Sequence, residues 1–301
     1  MRRYQFDKDK KGNTCSGDYH PSELMAVAAA REIRDGEKVF IGIGVPMAAG
    51  LLAIHTHAPN AVLVFEGGYV GGIPPGACST VADDALGYKS PYITSLFRIF
   101  CDLQRGYFDL AVIGGAQIDK FGNVNSTTIF GETGNYSQPI VRLPGSGGAN
   151  DMASLAKRTV IVMKLEKGRF VSRVDYITSP GYLNGPGARE KIGLRGGGPA
   201  AVITDKAVFR FNDQTKEMYL ASLHPGISID EIINLVEWDL KISPTITTTE
   251  PPLKNEIKLL RALDPIGIML RVNRNFENLD FNKWVSLTAE GWTIFQKLTE
   301  K

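Results

Sequence analysis

Only three cysteines occur in the 301 residues, Cys15, Cys78 and Cys101, an odd number with wide spacing and no C-x-x-C pair. They suggest neither a disulfide framework nor a zinc site, and they fit a reducing cytoplasm. Neither sign of charge is in surplus. Against 32 Asp and Glu stand 34 Lys and Arg, a formal net charge of +2, which gives no electrostatic footprint for nucleic acid or an acidic membrane. No apolar run approaches bilayer-spanning length, and the N-terminal "MRRYQFDKDKKGNTCSGDYH" has charge without the apolar core of a signal peptide. The expectation is a cytoplasmic protein with no membrane and no nucleic-acid partner.

Several chemical signatures are missing too. Neither G-x-G-x-x-G in strand-to-helix context nor a Walker sequence is present, and Gly42, Gly44 and Gly50 in "IGIGVPMAAG" have the wrong spacing for a dinucleotide turn. There is no G-x-S-x-G elbow for a serine hydrolase, and "GSGG" at 145–148 lacks an identifiable histidine base. His55 and His57 lie two apart, on different faces of a helix, so they make no i, i+4 metal pair. They read as surface or interface histidines, and no metal is expected.

Glycine is abundant instead. Its 32 residues exceed the usual share of about 7%, and they cluster at "EGGYVGGIPPG", "IGGAQIDKFGN", "LPGSGGAND", "SPGYLNGPG" and "LRGGGP" without a fixed period. Ordered loops with close backbone approach explain this better than collagen or low complexity.

Between the glycine clusters, helices and strands alternate. "PSELMAVAAAREIRDG" reads as a helix from Pro21, with Gly36 as its stop. A strand at Lys38–Ile43, a helix at Pro46–His57 and a strand at Val62–Phe65 come next, a unit that favours a parallel sheet covered by helices. Helical spacing in "PYITSLFRIFCDLQRG" puts Ile93, Leu96, Phe97, Phe100 and Leu103 on one face. "DLAVIGG" and "RTVIVMKL" are further strands, and the loop-rich stretch 116–151 between them is too long for an ordinary connection, which marks it as functional. "AAVITD" is a strand, and "AVFRFNDQTKEMYLAS" a hairpin turning at Asn212–Thr215. Ser228 with Glu231 signals a capping box opening "IDEIINLV", and Pro251 and Pro252 end the regular pattern. The expected organisation is a flexible tail at 1–20, one domain at 21–270, and a C-terminal extension at 271–301 that forms a helix or a clasp on a partner.

In "AVLVFEGGYVGG", residues 61–72, an apolar strand ends on a carboxylate, Glu66, with Gly67 and Gly68 directly after it. Apolar flanks on one side and bare backbone on the other strip water from the carboxylate and let a backbone or a ligand come close. A desolvated carboxylate beside oxyanion donors can attack a thioester, and glycine N–H groups suit the donor role. The structural alternative is that Glu66 caps a helix or pairs with an arginine.

The block "AVIGGAQIDKFGNVNSTTI", with "RLPGSGGANDMASLAKRTVIVM", "YITSPGYLNGPGAREKIGL", "VITDKAVFRF" and "EMYLASLHP" after it, closely resembles the B subunit of glutaconate CoA-transferase, within the class I CoA-transferases. The likeness runs from about residue 20 to 270 and is strongest over 110–222. A more distant likeness to the B half of 3-oxoacid CoA-transferases shows in G-x-G-G-A at Gly145 to Ala149. The resemblance implies an α/β fold, an open three-layer α/β/α sandwich of the CoA-transferase type with a mostly parallel sheet. Glu66 falls on the family's catalytic glutamate in S-E-N-G or S-E-x-G, with Phe65 and Gly67 in place of the usual serine and asparagine. Gly145, Gly147 and Gly148 match the G-x-G-G loop near the thioester, where a backbone N–H stabilises the oxyanion. Gln117, Asn125 and Ser126 resemble the segment lining the same pocket. The resemblance therefore implies a heteromeric CoA-transferase that needs a separate A-type partner, with a glutamyl-CoA thioester on Glu66, the CoA thioester as substrate and no permanently bound cofactor. The rival readings are a CoA-thioester hydrolase or lyase on the same scaffold, or a non-catalytic supporting subunit.

Overall fold

The computed structural model describes residues 14–74, 76, 78–131, 134–272 and 280–299. The chain divides into two compact units, residues 1–101 with 251–301, and residues 102–250. The sequence alone suggests one domain at 21–270, with no boundary near residue 101 or 250. Most of the expected N-terminal tail, residues 1–13, lies outside the described residues.

The first unit opens with helix α1, Pro21–Ala30. Pro21 stands at the start, as its fixed φ and missing N–H favour, and His20 Nδ1 accepts from Ser22 N at 3.1 Å. Strand β1, Lys38–Ile41, helix α2, Val45–His55, and strand β2, Val62–Phe65, come next. β1 and β2 pair in parallel, from Lys38 opposite Val62 to Ile41 opposite Phe65. The antiparallel pieces β3, Tyr69–Val70, and β4, Tyr92–Ile93, extend this ladder, with a 3₁₀ turn at Asp84–Gly87 between them. Helix α3 spans Leu96–Gln104. It buries Ile99 and Leu103, whereas Leu96 and Phe97 of the anticipated apolar face are exposed, and Ile93 belongs to β4.

In the second unit β5, Leu110–Ile113, is buried throughout, as a parallel strand covered on both faces should be. The loop-rich stretch 116–151 carries two small hairpins: β6, Gln117–Ile118, with β7, Val124–Asn125, and β8, Thr128–Ile129, with β9, Val141–Arg142. Helix α4, Ala149–Leu155, is next. β10, Arg158–Val162, lies parallel to β5, and after the short helix α5, Ala188–Lys191, strand β11, Pro199–Ile203, lies parallel to β10. β12, Ala207–Phe211, and β13, Met218–Leu223, form the expected hairpin, where Asn212 Oδ1 accepts from Gln214 N and Thr215 N. Ser228 Oγ accepts from Glu231 N and caps helix α6, Ile229–Ile233, while Glu231 itself bonds Lys206 at 2.7 Å. The exposed strand β14, Lys241–Thr248, pairs in parallel with β13.

The chain then returns to the first unit with helices α7, Lys254–Leu263, and α8, Phe281–Thr299. Two capping glutamates also join helices: Glu23, fully buried near the start of α1, receives Arg261 of α7 at 2.9 Å, and Glu256 of α7 receives Arg31 at 3.3 Å. Ser16 N donates to Pro252 O, which ties residues after 13 to the start of α7. Among the described residues no helix is long and apolar enough to cross a membrane.

Candidate functional site

Glu66 stands immediately after β2, whose last residue, Phe65, is fully buried, and is itself half-buried. In open α/β sheets, ligands bind beyond the carboxyl ends of parallel strands, and that is where this side chain lies. Gly68 N donates to Phe65 O at 2.9 Å and closes the turn, and Gly67 N donates to Val81 O at 3.1 Å. A Cβ on Gly67 would lie 2.7 Å from Val81 O and from Ala82 Cα. At Gly68, where φ is +102°, it would lie 1.9 Å from Thr94 O. These glycines therefore admit the backbone of the segment around 81–94. Gly67, one of the two residues that depart from the S-E-N-G pattern, has no room for an asparagine side chain while Val81 and Ala82 stand where they do.

The second unit brings together four of the other residues singled out in the sequence. Asn125 is wholly buried, its Nδ2 donating to Gln117 Oε1 at 2.7 Å and to Thr128 O at 2.6 Å. Its Oδ1 accepts from Thr127 N at 3.0 Å. Gln117 is 5% exposed. Both amides, expected to line a pocket, spend hydrogen-bonding capacity on the protein. Ser126 exchanges bonds with the glycine loop: Gly145 N donates to Ser126 O at 2.9 Å, and Ser126 Oγ donates to Gly145 O at 3.0 Å. Ser126 is thus the direct footing of the G-x-G-G loop, and Asn125, held by Gln117, bonds the backbone of Thr127 and Thr128 next to it.

Gly145 and Gly147 have φ of +96° and +49°, which glycine adopts without steric cost. Gly148 precedes α4 with φ −79° and no side-chain cap. Among the described residues, neither the Gly147 nor the Gly148 backbone N–H donates a hydrogen bond. The contrast with Gly67 and Gly68, whose N–H groups are both engaged, separates glycines that close a turn from glycines that still offer a donor.

Several residues in this footing were not picked out in the sequence. Thr178 Oγ1 accepts from Ser126 N at 2.9 Å and lies 2.7 Å from Thr127 Oγ1. Asp119 accepts from Phe121 N, Asn123 N and Asn123 Nδ2, while Asn123 Oδ1 accepts from Gly181 N and Leu183 N. Burial pushes the Asp119 carboxyl above its ordinary value, opposed by these donors. The D-x-x-G-N spacing of this turn was a usable signal, since Asp and Asn side chains bond backbone a few residues on. Arg189, 3% exposed, donates to Pro180 O, Gly181 O, Ala153 O and Gly196 O, all at 2.8–3.2 Å. Burial lowers its pKa. Its partners lie 7 to 36 residues away, so no local motif revealed it.

The two histidines of α2 and its C-cap region have ordinary structural roles. His55 is buried, with Phe295 edge-on at 4.8 Å, and His57 Nε2 lies 3.1 Å from Ile33 O. No cluster of three or more metal-ligating side chains occurs among the described residues.

A family model described as coenzyme A transferase matches residues 22–235. The chain is 37% identical over 247 residues to the B subunit of 3-oxoadipate CoA-transferase from Pseudomonas knackmussii, covering 82% of this chain and 94% of that protein. It is 38% identical over 262 residues to the B subunit of glutaconate CoA-transferase from Acidaminococcus fermentans, covering 85% and 96%. The crystal structure of the Acidaminococcus fermentans glutaconate CoA-transferase superposes with a TM-score of 0.79 at 36% identity, covering 85% of this chain and 98% of that one. The α/β fold of the CoA-transferase type expected from the sequence is thereby established.

Proposed function

Because the chain belongs to the coenzyme A transferase family, we propose that it moves CoA from an acyl-CoA to a carboxylic acid through a thioester on Glu66, working with an A-type subunit. The observation that carries the mechanism is Glu66 at the carboxyl end of parallel strand β2, in a turn where close-packed backbone fills the space beside it. A 3-oxo or an unsaturated dicarboxylic acid is the substrate class suggested by the relatives' names.

The chemistry derives from what a carboxylate can do. A Glu66 oxygen attacks the acyl-CoA carbonyl, the C–S bond breaks, and an acyl-glutamyl anhydride and CoA thiolate result. The thiolate attacks the Glu66 carbonyl, the first acid leaves as its carboxylate, and Glu66 carries CoA as a thioester. The acceptor carboxylate then attacks that thioester and expels the thiolate, which attacks the acceptor's acyl carbon and restores the Glu66 carboxylate. Every bond broken is replaced by one formed, so no oxidant or energy carrier is needed. Each intermediate is open to hydrolysis, and the tight backbone around Gly67 and Gly68 serves to exclude water.

Each tetrahedral step needs donors for its oxyanion. Gly67 N–H and Gly68 N–H are committed to Val81 O and Phe65 O, so the donors come from elsewhere. Gly147 and Gly148, whose N–H groups donate no hydrogen bond among the described residues, are proposed as oxyanion donors of the second unit, and Ser126 bonds the loop that carries them at Gly145. CoA enters as substrate, no cofactor stays bound, and the separate thiols of Cys15, Cys78 and Cys101 suit the cytoplasm.

Incubating the reconstituted enzyme with acyl-CoA alone and then borohydride should reduce one side chain, Glu66, which peptide mass spectrometry locates. Glu66→Asp keeps the charge but withdraws it by one methylene, and a misplacement near 1 Å costs roughly 10²-fold in rate. An unmodified Glu66, or an Asp variant with full turnover, would sink the thioester mechanism.

A further inference from the structure

Beyond residue 235, where the family match ends, the chain still builds α7 and α8. Helix α8 is anchored in the first unit at two points. Phe295 is 6% exposed, with its ring 4.8 Å from that of His55 on α2. At Gly291 the helix comes so near α7 that a Cβ would lie 2.7 Å from Ala262 O. Stacked on Phe295 at 5.5 Å, Trp292 meets Tyr88 edge-on, with ring centroids 6.4 Å apart.

Tyr88 lies in the segment whose backbone packs onto the Glu66 turn. Its carbonyl accepts from Ile73 N at 2.9 Å, and its N–H donates to Ala85 O at 3.1 Å. Leu86, two residues before it, is fully buried, and its carbonyl fills the place of a Cβ on Gly72, 1.9 Å away. Asp83 binds Ser79 N and Ala85 N, which fixes the 79–85 bend, and within that bend Val81 O accepts from Gly67 N. A ring contact from Trp292 to Tyr88, and from there hydrogen-bonded backbone, therefore leads to the residue beside Glu66. The glycines at 67, 68, 71 and 72 have no side chains with which to hold their own conformation, so the outer wall must supply the rigidity.

We propose that Trp292 of the C-terminal helix is a positioning residue, bracing Tyr88 so that the 79–94 segment holds the Glu66 turn in its reactive conformation. This rests on Glu66 as nucleophile. It also gives the C-terminal helix a role in turnover that ring contacts on a surface would not by themselves have. Loosening such a wall displaces the carboxylate without removing it, and catalysis is sensitive to displacements of that size.

The test compares Trp292→Ala, Trp292→Phe and Tyr88→Leu in the complete enzyme by hydrogen exchange and steady-state kinetics. In Trp292→Ala the amides of Gly67 and Ile73 should exchange faster, kcat should fall roughly 10-fold or more, and the KM for acyl-CoA should change little. Trp292→Phe, which keeps an aromatic ring, should restore most of both. Tyr88→Leu breaks the same contact from the loop side with α8 untouched, and it decides the matter if Trp292→Ala fails to fold. Unchanged exchange at Gly67 and Ile73 would overturn the proposal, as would faster exchange with undiminished kcat. Glu66→Gln, assayed in parallel, reports separately on the nucleophile. If it keeps full turnover the thioester mechanism fails, while the exchange data still decide whether Trp292 braces the turn.

Discussion

At Gly148 the backbone lies at φ −79° and ψ −5°, a conformation open to any residue, whereas Gly147 at φ +49° is in the left-handed region. That difference makes the pair a probe of the oxyanion role. An alanine at Gly147 adds left-handed strain of about 1–2 kcal/mol to any effect on turnover. An alanine at Gly148 carries no such backbone strain. Gly148→Ala keeps the N–H but sets a Cβ beside it, and crowding the oxyanion off that donor is expected to lower kcat, up to the roughly 10²–10³-fold cost of losing a donor outright, while the thermal midpoint moves little. Equal losses of stability and turnover, read by calorimetry beside the assay, would mark the loop as a turn and nothing more. Glu66 and the glycine loop can be singled out in the sequence because both are local patterns, a strand ending on a charge and G-x-G-G. The sequence could not show that Asn125 is consumed by Gln117 and Thr128, or that Ser126 leans on Thr178, 52 residues on. A side chain's partners decide between footing and ligand, and partners at that distance leave no spacing to read.

Elements were legible where pattern and burial agree. The fully buried β5, the parallel β1 and β2, and the hairpin turning at Asn212 stem from apolar runs bounded by turn residues. Helix α7 escaped notice because Pro251 and Pro252 read as an end to regular structure, although the helix begins two residues later at Lys254. β14 escaped because it is exposed along most of its length and contains Pro244, tolerable there since the strand lies at the end of its ladder. The join between β13 and the residues after β14 contains a testable group. His224 is 3% exposed, with Nε2 2.8 Å from Thr204 O and Nδ1 3.0 Å from Thr249 Oγ1. Desolvation lowers its pKa below the ordinary 6.5, outweighing the pull of Thr204 O and Asp205. With the folded pKa depressed, the unfolded chain takes up the proton first as pH falls. His224 therefore contributes stability in full above about pH 6.5, and this is lost progressively as pH drops through that value towards the folded pKa. Urea midpoints should fall between pH 7.5 and 5.5 more steeply in the parent protein than in His224→Gln. Identical slopes would show that His224 does not contribute to the pH response.

As a whole, the molecule carries family features and an unfinished surface. In the first unit Tyr92, Ile93, Leu96 and Phe97 fall within six residues of sequence and are 47%, 59%, 51% and 76% exposed. Thr94, among them, donates to Gly68 O in the turn after Glu66. Soluble monomers seldom leave large contiguous apolar patches open to water, and β4, at the end of its ladder, leaves an edge for further pairing. Both features suit a chain that works only when joined to another, in keeping with the B-subunit relatives and the proposed A-type partner. The chain purified alone should show no transferase activity, and co-expression with an A-type subunit should yield an active complex on size exclusion. Phe97→Asp puts a charge on the most exposed of these side chains and should leave the lone chain folded, since Phe97 contributes little to its core. In co-expression it should weaken recovery of the complex, because a carboxylate buried at an interface without a partner is costly. Full activity from the chain alone would remove the need for a second subunit. Undiminished assembly of Phe97→Asp would move the docking surface elsewhere on the molecule.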